Sequence, residues 1–181
     1  MLKRLKSLLL GRVDAMAGRL YRAVVAQSRL PLFYRDYAMP DTPAGRLELL
    51  HLHLLLVSRR LSAEGTQTAA GLSQDLFDCH VEALDDALRE IGIGDTSVPR
   101  RKKRMVRGFY AQIAELGPPL AAADASALAA ALSARRPPGA DALACDRLAA
   151  YLVAAEGELA RLAFADIAAN RLRWPDPGAV R

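Results

Sequence analysis

The sequence predicts an all-α fold: a single helical domain of about six to seven helices around a buried central helix, with a basic amphipathic helix at the N-terminus. Three observations lead there. Aromatic residues are only 6% of the 181 positions, while alanine and leucine abound. Apolar residues recur at three- and four-residue steps along most of the chain, and no segment alternates apolar and polar as a half-buried strand does. Hydrophobic residues make up 52% and charged residues 25%, the balance of a folded chain with a substantial core.

Leu2, Leu5, Leu9, Val13, Met16, Leu20 and Val24 set the first period, flanked by Lys3, Lys6, Arg12, Arg19 and Arg22. Three readings of this helix stand: packing on the core, contact with an anionic membrane, or a removable targeting segment. Pro31 and Pro40 bracket the connector Phe33-Tyr34-Arg35-Asp36-Tyr37. Thr42 followed by Pro43 is an N-cap with proline at the first helical position. The helix it starts runs to about Leu61, apolar nearly all round, and is expected at the centre of the core. His51 and His53 lie on it about 200° apart, so they cannot share a metal and are expected to be hydrogen-bonded at the core edge.

A third helix is expected from about Ser73 to Ile91, with Leu72, Leu76, Cys79, Ala83, Ala87 and Ile91 on its buried face. Asp75, Asp78, Glu82, Asp85 and Asp86 form an acidic stripe on another face. Like charges at these spacings repel, so facing cations are expected. Gly92 and Gly94 are helix stops. A fourth helix follows Ser97-Val98-Pro99 and opens with Arg100-Arg101-Lys102-Lys103-Arg104, where the helix dipole disfavours cations. Docking on the acidic stripe, contact with anionic lipid or RNA, and simple solvation all fit this cluster. Pro118-Pro119 is expected to end that helix. Alanine-rich helices at about 122–134 and 141–172 come next, with Gly157 bending or dividing the last, and Trp174-Pro175-Asp176-Pro177-Gly178 as a non-helical tail. The divisions read from sequence are 1–30 for the basic helix, 31–120 for the helical core, 121–173 for the alanine-rich helices and 174–181 for the tail.

Charge falls in blocks. Residues 1–35 carry eight basic side chains and one acid, residues 41–95 ten acids and four arginines, and Arg100 to Arg107 six cations, within a net charge of +5. Cys79 and Cys145 form no CxxC pair, and Cys79-His80 has no third ligand at zinc spacing. No segment nears the roughly 20 apolar residues that span a bilayer. No residue set supplies a nucleophile with its base, a metal cluster or a phosphate loop. No catalytic residue, cofactor, metal or DNA partner is therefore expected.

Two segments say more. Phe33 to Leu61 and Leu72 to Tyr110 resemble the ubiquinol-cytochrome c chaperone family. The distinctive parts are Pro40-Asp41-Thr42 with Gly45-Arg46 and Glu48, Leu-His-Leu ending in Arg59-Arg60-Leu61, then Gln74 to Asp78, Asp85, Leu88-Arg89-Glu90, Gly92, Gly94-Asp95 and Val98-Pro99. The resemblance covers about residues 20–115. Family members continue Phe-Tyr with Gly-Arg, where this chain has Ala111-Gln112.

The resemblance implies a non-enzymatic factor that assists assembly of cytochrome b into the cytochrome bc1 complex at the inner membrane surface. That surface would be cytoplasmic in a bacterium and matrix-facing in a mitochondrion. Mitochondrial members act with a small partner protein and at the ribosome, and neither contact carries over to this chain. On this reading Phe33, Tyr34, Phe77, Met105, Phe109 and Tyr110 line a client groove. Asp41, Arg46, Glu48, Arg59, Asp85, Arg89, Glu90 and Asp95 shape it through ion pairs and caps. Lys3, Arg4, Lys6, Arg100, Arg101, Lys102, Lys103 and Arg104 are the candidate contacts to an anionic membrane or, as the alternative function, to RNA or the ribosome.

Overall fold

In the computed structural model, residues 16–94, 96–136 and 141–180 are described. Among them all regular structure is helical: α1 over 16–28, α2 Pro31–Arg35, α3 Pro43–Ala63, α4 Gln67–Glu90, α5 Val98–Ala121, α6 Ala125–Ala134, α7 Ala142–Ala160 and α8 Phe164–Ala168. Lys3, Arg4, Lys6 and Asp95 lie outside the described residues.

α3 is the centre, as its apolar run requires: it packs on α4, α5 and α7, and Leu49 and Leu52 to Val57 are buried along it. Its start follows the sequence signal. The Thr42 side chain accepts from the Gly45 amide at 3.2 Å, with Pro43 in the first turn. Gly45 is obligatory there, because a Cβ would stand 2.1 Å from the Pro40 carbonyl oxygen. One continuous core runs from Ala17, Leu20 and Val24 on α1 through α3, α4, α5 and α6 to α7 and Ile167 on α8. Residues 16–28 thus pack on the core.

Four expectations need correcting. α4 begins at Gln67, six residues early, because Thr66 caps it by accepting from the Ala69 amide. Its buried face is Ala69, Leu72, Leu76, His80, Leu84 and Leu88, so the phase slips by one residue after Leu76 and leaves Ile91 exposed. α5 does not stop at Pro118-Pro119 but runs to Ala121. Prolines in a last turn forfeit donors yet keep their carbonyls, and these accept from Ala122 and Asp124 while Leu116 and Leu120 are held in the core. The C-terminal helix divides at 161–163, not at Gly157. There the Arg60 guanidinium of α3 takes the Leu162 carbonyl at 2.7 Å, an acceptor the helix would otherwise use.

Residues 174–178 are non-helical, as expected, but they pack. Tyr37 donates its hydroxyl to the Pro177 carbonyl at 2.6 Å, and the Trp174 ring meets the His53 ring edge-on at 5.2 Å.

Candidate functional site

The two histidines of α3 organise two aromatic clusters. Toward α7, His53 is fully buried. Its Nδ1 donates to the Leu49 carbonyl at 2.8 Å. That fixes the tautomer, so Nε2 must accept from the Tyr151 hydroxyl at 3.0 Å. Tyr151 in turn accepts from the Gln27 amide at 3.0 Å. The rings of Phe33, Tyr37, Tyr151 and Trp174 close round this chain. Burial holds His53 down at about 4, against the pull of its bond to Leu49, and raises Tyr151. No buried side-chain polar atom of the chain from His53 to Gln27 is left without a partner, and no ring of the cluster reaches the surface fully.

Toward α4 and α5, His51 Nε2 lies 3.0 Å from His80 Nε2, and His80 Nδ1 lies 3.4 Å from the Tyr21 hydroxyl. One imidazole donates and the other accepts, so the two rings are opposite tautomers, both neutral. Burial, then the neighbouring His80 and Arg135, pushes His51 down to about 3. Burial alone takes His80 to about 4, and burial, opposed by the Arg29 charge and aided by Cys79, lifts Tyr21 to about 12.

This cluster does not close. His51 meets Phe109 at 5.0 Å, Phe109 stacks on Phe77 at 5.7 Å, and Phe77 meets Tyr110 at 5.5 Å. Tyr110 is 55% exposed. The aromatic run therefore leads from the buried histidine pair to solvent. On the other flank of α5, a hollow of about 400 Å³ is lined by Ala44, Leu47, Glu48 and His51 from α3, Met105, Gly108 and Gln112 from α5, and Arg135. Glu48 Oε1 and Gln112 Nε2 are buried there without a hydrogen-bond partner, a condition that costs about 1 to 3 kcal/mol for each group.

The six expected groove residues do not line one groove. Phe33 is sealed in the His53 cluster, where its ring meets Tyr37, His53 of α3 and Tyr151 of α7. Tyr34 donates to the Ser28 carbonyl at 3.2 Å and borders a separate hollow with Arg29, Pro31, Arg35, Asp41 and Arg46. Phe109 is nearly buried, and only Phe77, Met105 and Tyr110 reach the outside of α4 and α5.

Among the polar set, two interhelical pairs are present: Arg59 with Glu156 at 2.9 Å and Lys102 with Asp85 at 2.7 Å. Asp41 pairs with Arg46 and Arg89 with Asp85, both within a segment, while Glu90 is exposed. Lys102 first, then Arg89, hold Asp85 below the ordinary carboxylate range. Lys102 is thereby removed from the outward cations. Arg100, Arg101, Lys103 and Arg104 face solvent and, with Ser97 and Arg107, surround a concavity of about 540 Å³. His51, His80, Tyr21 and Gln112 were missed as site residues. For His80 the sequence signal is a polar residue between Leu76 and Leu84 on an otherwise apolar face, whereas His51 and Gln112 each have a glutamate three residues away, Glu48 and Glu115, and carry no such signal.

The chain matches the family described as ubiquinol-cytochrome C chaperone over residues 35–174. It belongs to that family. The ubiquinol-cytochrome C chaperone match extends well past residue 115, where the legible sequence resemblance stops, so the alanine-rich helices are part of the family fold. The Cbp3 homolog from Brucella abortus is similar in structure, with a TM-score of 0.87, 34% identity and 100% coverage of both chains. No curated protein matches the sequence. No helix among the described residues is long and apolar enough to cross a membrane.

Proposed function

We propose that this chaperone holds newly made cytochrome b and promotes its assembly into ubiquinol-cytochrome c reductase, the bc1 complex, from a peripheral position on the membrane surface and without catalysis of its own. Family membership supports the chaperone role. The observation that carries the reading at this chain is the aromatic run that leaves the core at Tyr110, with the Met105 hollow on the other flank of the same helix.

A polytopic client shows apolar helices before its partners arrive. A surface that covers them needs large side chains at low ordering cost and some adaptability. Tyr110 and Phe77 provide the first and Met105 the second. Glu48 Oε1 and Gln112 Nε2 beside them lack partners within the chain, and a bound segment with its own donors and acceptors is favoured where such atoms become reachable.

Deleting the gene in its host tests the reading. Cytochrome b and assembled bc1 complex are expected to fall while other respiratory complexes hold their level. Unchanged bc1 content would reject the function.

A further inference from the structure

We infer that the corner where α4 turns into α5 is a docking surface for an anionic lipid bilayer, with Ile91 inserting between headgroups and the cations of α5 lying against them.

The turn is built as a Schellman cap. Gly92 takes φ +79°, its amide donates to the Arg89 carbonyl at 2.9 Å, and the Ile93 amide donates to the Leu88 carbonyl at 3.1 Å. In this motif the residue after the glycine packs back on the helix, which accounts for the partial burial of Ile93. Nothing in the motif accounts for Ile91, the C-cap residue, which is 70% exposed. A large aliphatic side chain is held outward at the tip of a capped helix.

The charge around it is complementary to lipid phosphate. The Lys102–Asp85 pair sets the register of the two helices, so Ile91, six residues beyond Asp85, lies at the same end as Ser97 to Arg101. Residues 85–107 carry seven basic and four acidic side chains. Asp85 is engaged by Lys102 and Arg89, whereas Arg100, Arg101, Lys103, Arg104 and Arg107 line the solvent-facing concavity. Cations alone would suit RNA as well as lipid. An exposed isoleucine decides between them: RNA-binding surfaces place aromatic or guanidinium planes against bases, whereas an interfacial site gains from an aliphatic side chain and from cations together. The inference deepens the peripheral-membrane part of the proposed function and rests on it.

The test is co-sedimentation of the full chain with vesicles of phosphatidylcholine alone or with 30% phosphatidylglycerol, about that fraction being enough to give a negative surface. Wild type, Ile91→Ser and the quadruple variant R100Q/R101Q/K103Q/R104Q are compared, together with binding of each to a single-stranded RNA. Wild type should pellet with the anionic vesicles only. Ile91→Ser should lower that affinity roughly five-fold with an unchanged melting temperature, and the quadruple variant should lower it more than ten-fold at low salt.

Vesicle binding that Ile91→Ser leaves unchanged overturns the inference, because another part of the chain then makes the contact. RNA binding lost in the quadruple variant, without vesicle binding by the wild type, also overturns it and assigns the corner to nucleic acid. Capture of cytochrome b by a protein that ignores vesicles would sink this surface and leave the chaperone reading standing. Vesicle binding without effect of gene deletion on bc1 would do the reverse.

Discussion

His53 and His51 are two residues apart on one helix, yet they sit in clusters of opposite character. Around His53 each buried polar atom of the hydrogen-bonded chain is matched and the rings of Phe33, Tyr37, Tyr151 and Trp174 close over it. Around His51 the rings lead outward through Phe109 and Phe77 to an exposed Tyr110, and the flanking Glu48 and Gln112 each keep an unmatched atom. On the proposed function, the closed cluster serves structure and the open one the client. A matched, closed cluster fixes the fold, whereas unmatched groups beside exposed aromatic surface carry a stability cost that a bound partner can offset.

The largest effect is expected on the closed side. His53→Ala leaves a cavity and strands the Tyr151 hydroxyl, and should destabilise the protein by about 3 to 4 kcal/mol in chemical denaturation while sparing any client contact in the protein that remains folded. A loss under 1 kcal/mol would show that the His53 cluster is not the closed anchor described here.

Acid is next. His51, His53 and His80 are held neutral when folded, near about 3, 4 and 4, against about 6.5 in the unfolded chain. Because the folded values are the lower ones, the unfolded chain takes up protons first. Stability is then complete well above pH 6.5, and falls as pH drops through that value toward 4. Between pH 7.5 and 6 the three together should cost about 2 to 3 kcal/mol. A melting temperature that is flat or rises over that interval would contradict neutral burial in both clusters.

The smallest effect on stability, and the most informative, belongs to the open side. Gln112→Leu removes an unmatched amide and should leave stability unchanged or raise it by up to about 1 kcal/mol, while lowering the yield of captured client. If it destabilises by 2 kcal/mol or more, Gln112 is a core residue of the ordinary kind and the contrast between the clusters fails.

Local signals were legible. Thr42-Pro43 marks the start of α3, and the run from Leu49 to Val57 marks its burial. The spacing of His51 and His53 sends the two rings to opposite sides of α3, where one meets His80 and the other Tyr151. What failed depends on contacts between distant segments. His80 looked like the neighbour of Cys79, and only its partner 29 residues away makes it part of a site. Phe33 reads as groove surface in the sequence because two of the rings that seal it, His53 of α3 and Tyr151 of α7, lie 20 or more residues away. The acidic stripe promised facing cations, and among the described residues Lys102 reaches Asp85 from α5, whereas Arg100, Arg101, Lys103 and Arg104 are exposed. The slip of the buried face of α4 has a local cause. Cys79 is small and apolar enough to pass for a core residue in place of His80, and that choice hides the exposure of Ile91.

The central claim is that the open face at Tyr110 meets the client. Two exposed apolar side chains allow a controlled comparison: Tyr110 on α5 and Leu143 on α7, 55% and 77% exposed. A photoreactive amino acid placed at each position in turn, in cells making cytochrome b, should give a cytochrome b adduct from position 110 and none from position 143. Equal labelling from both, or none from position 110 when bc1 assembly depends on the protein, would contradict it.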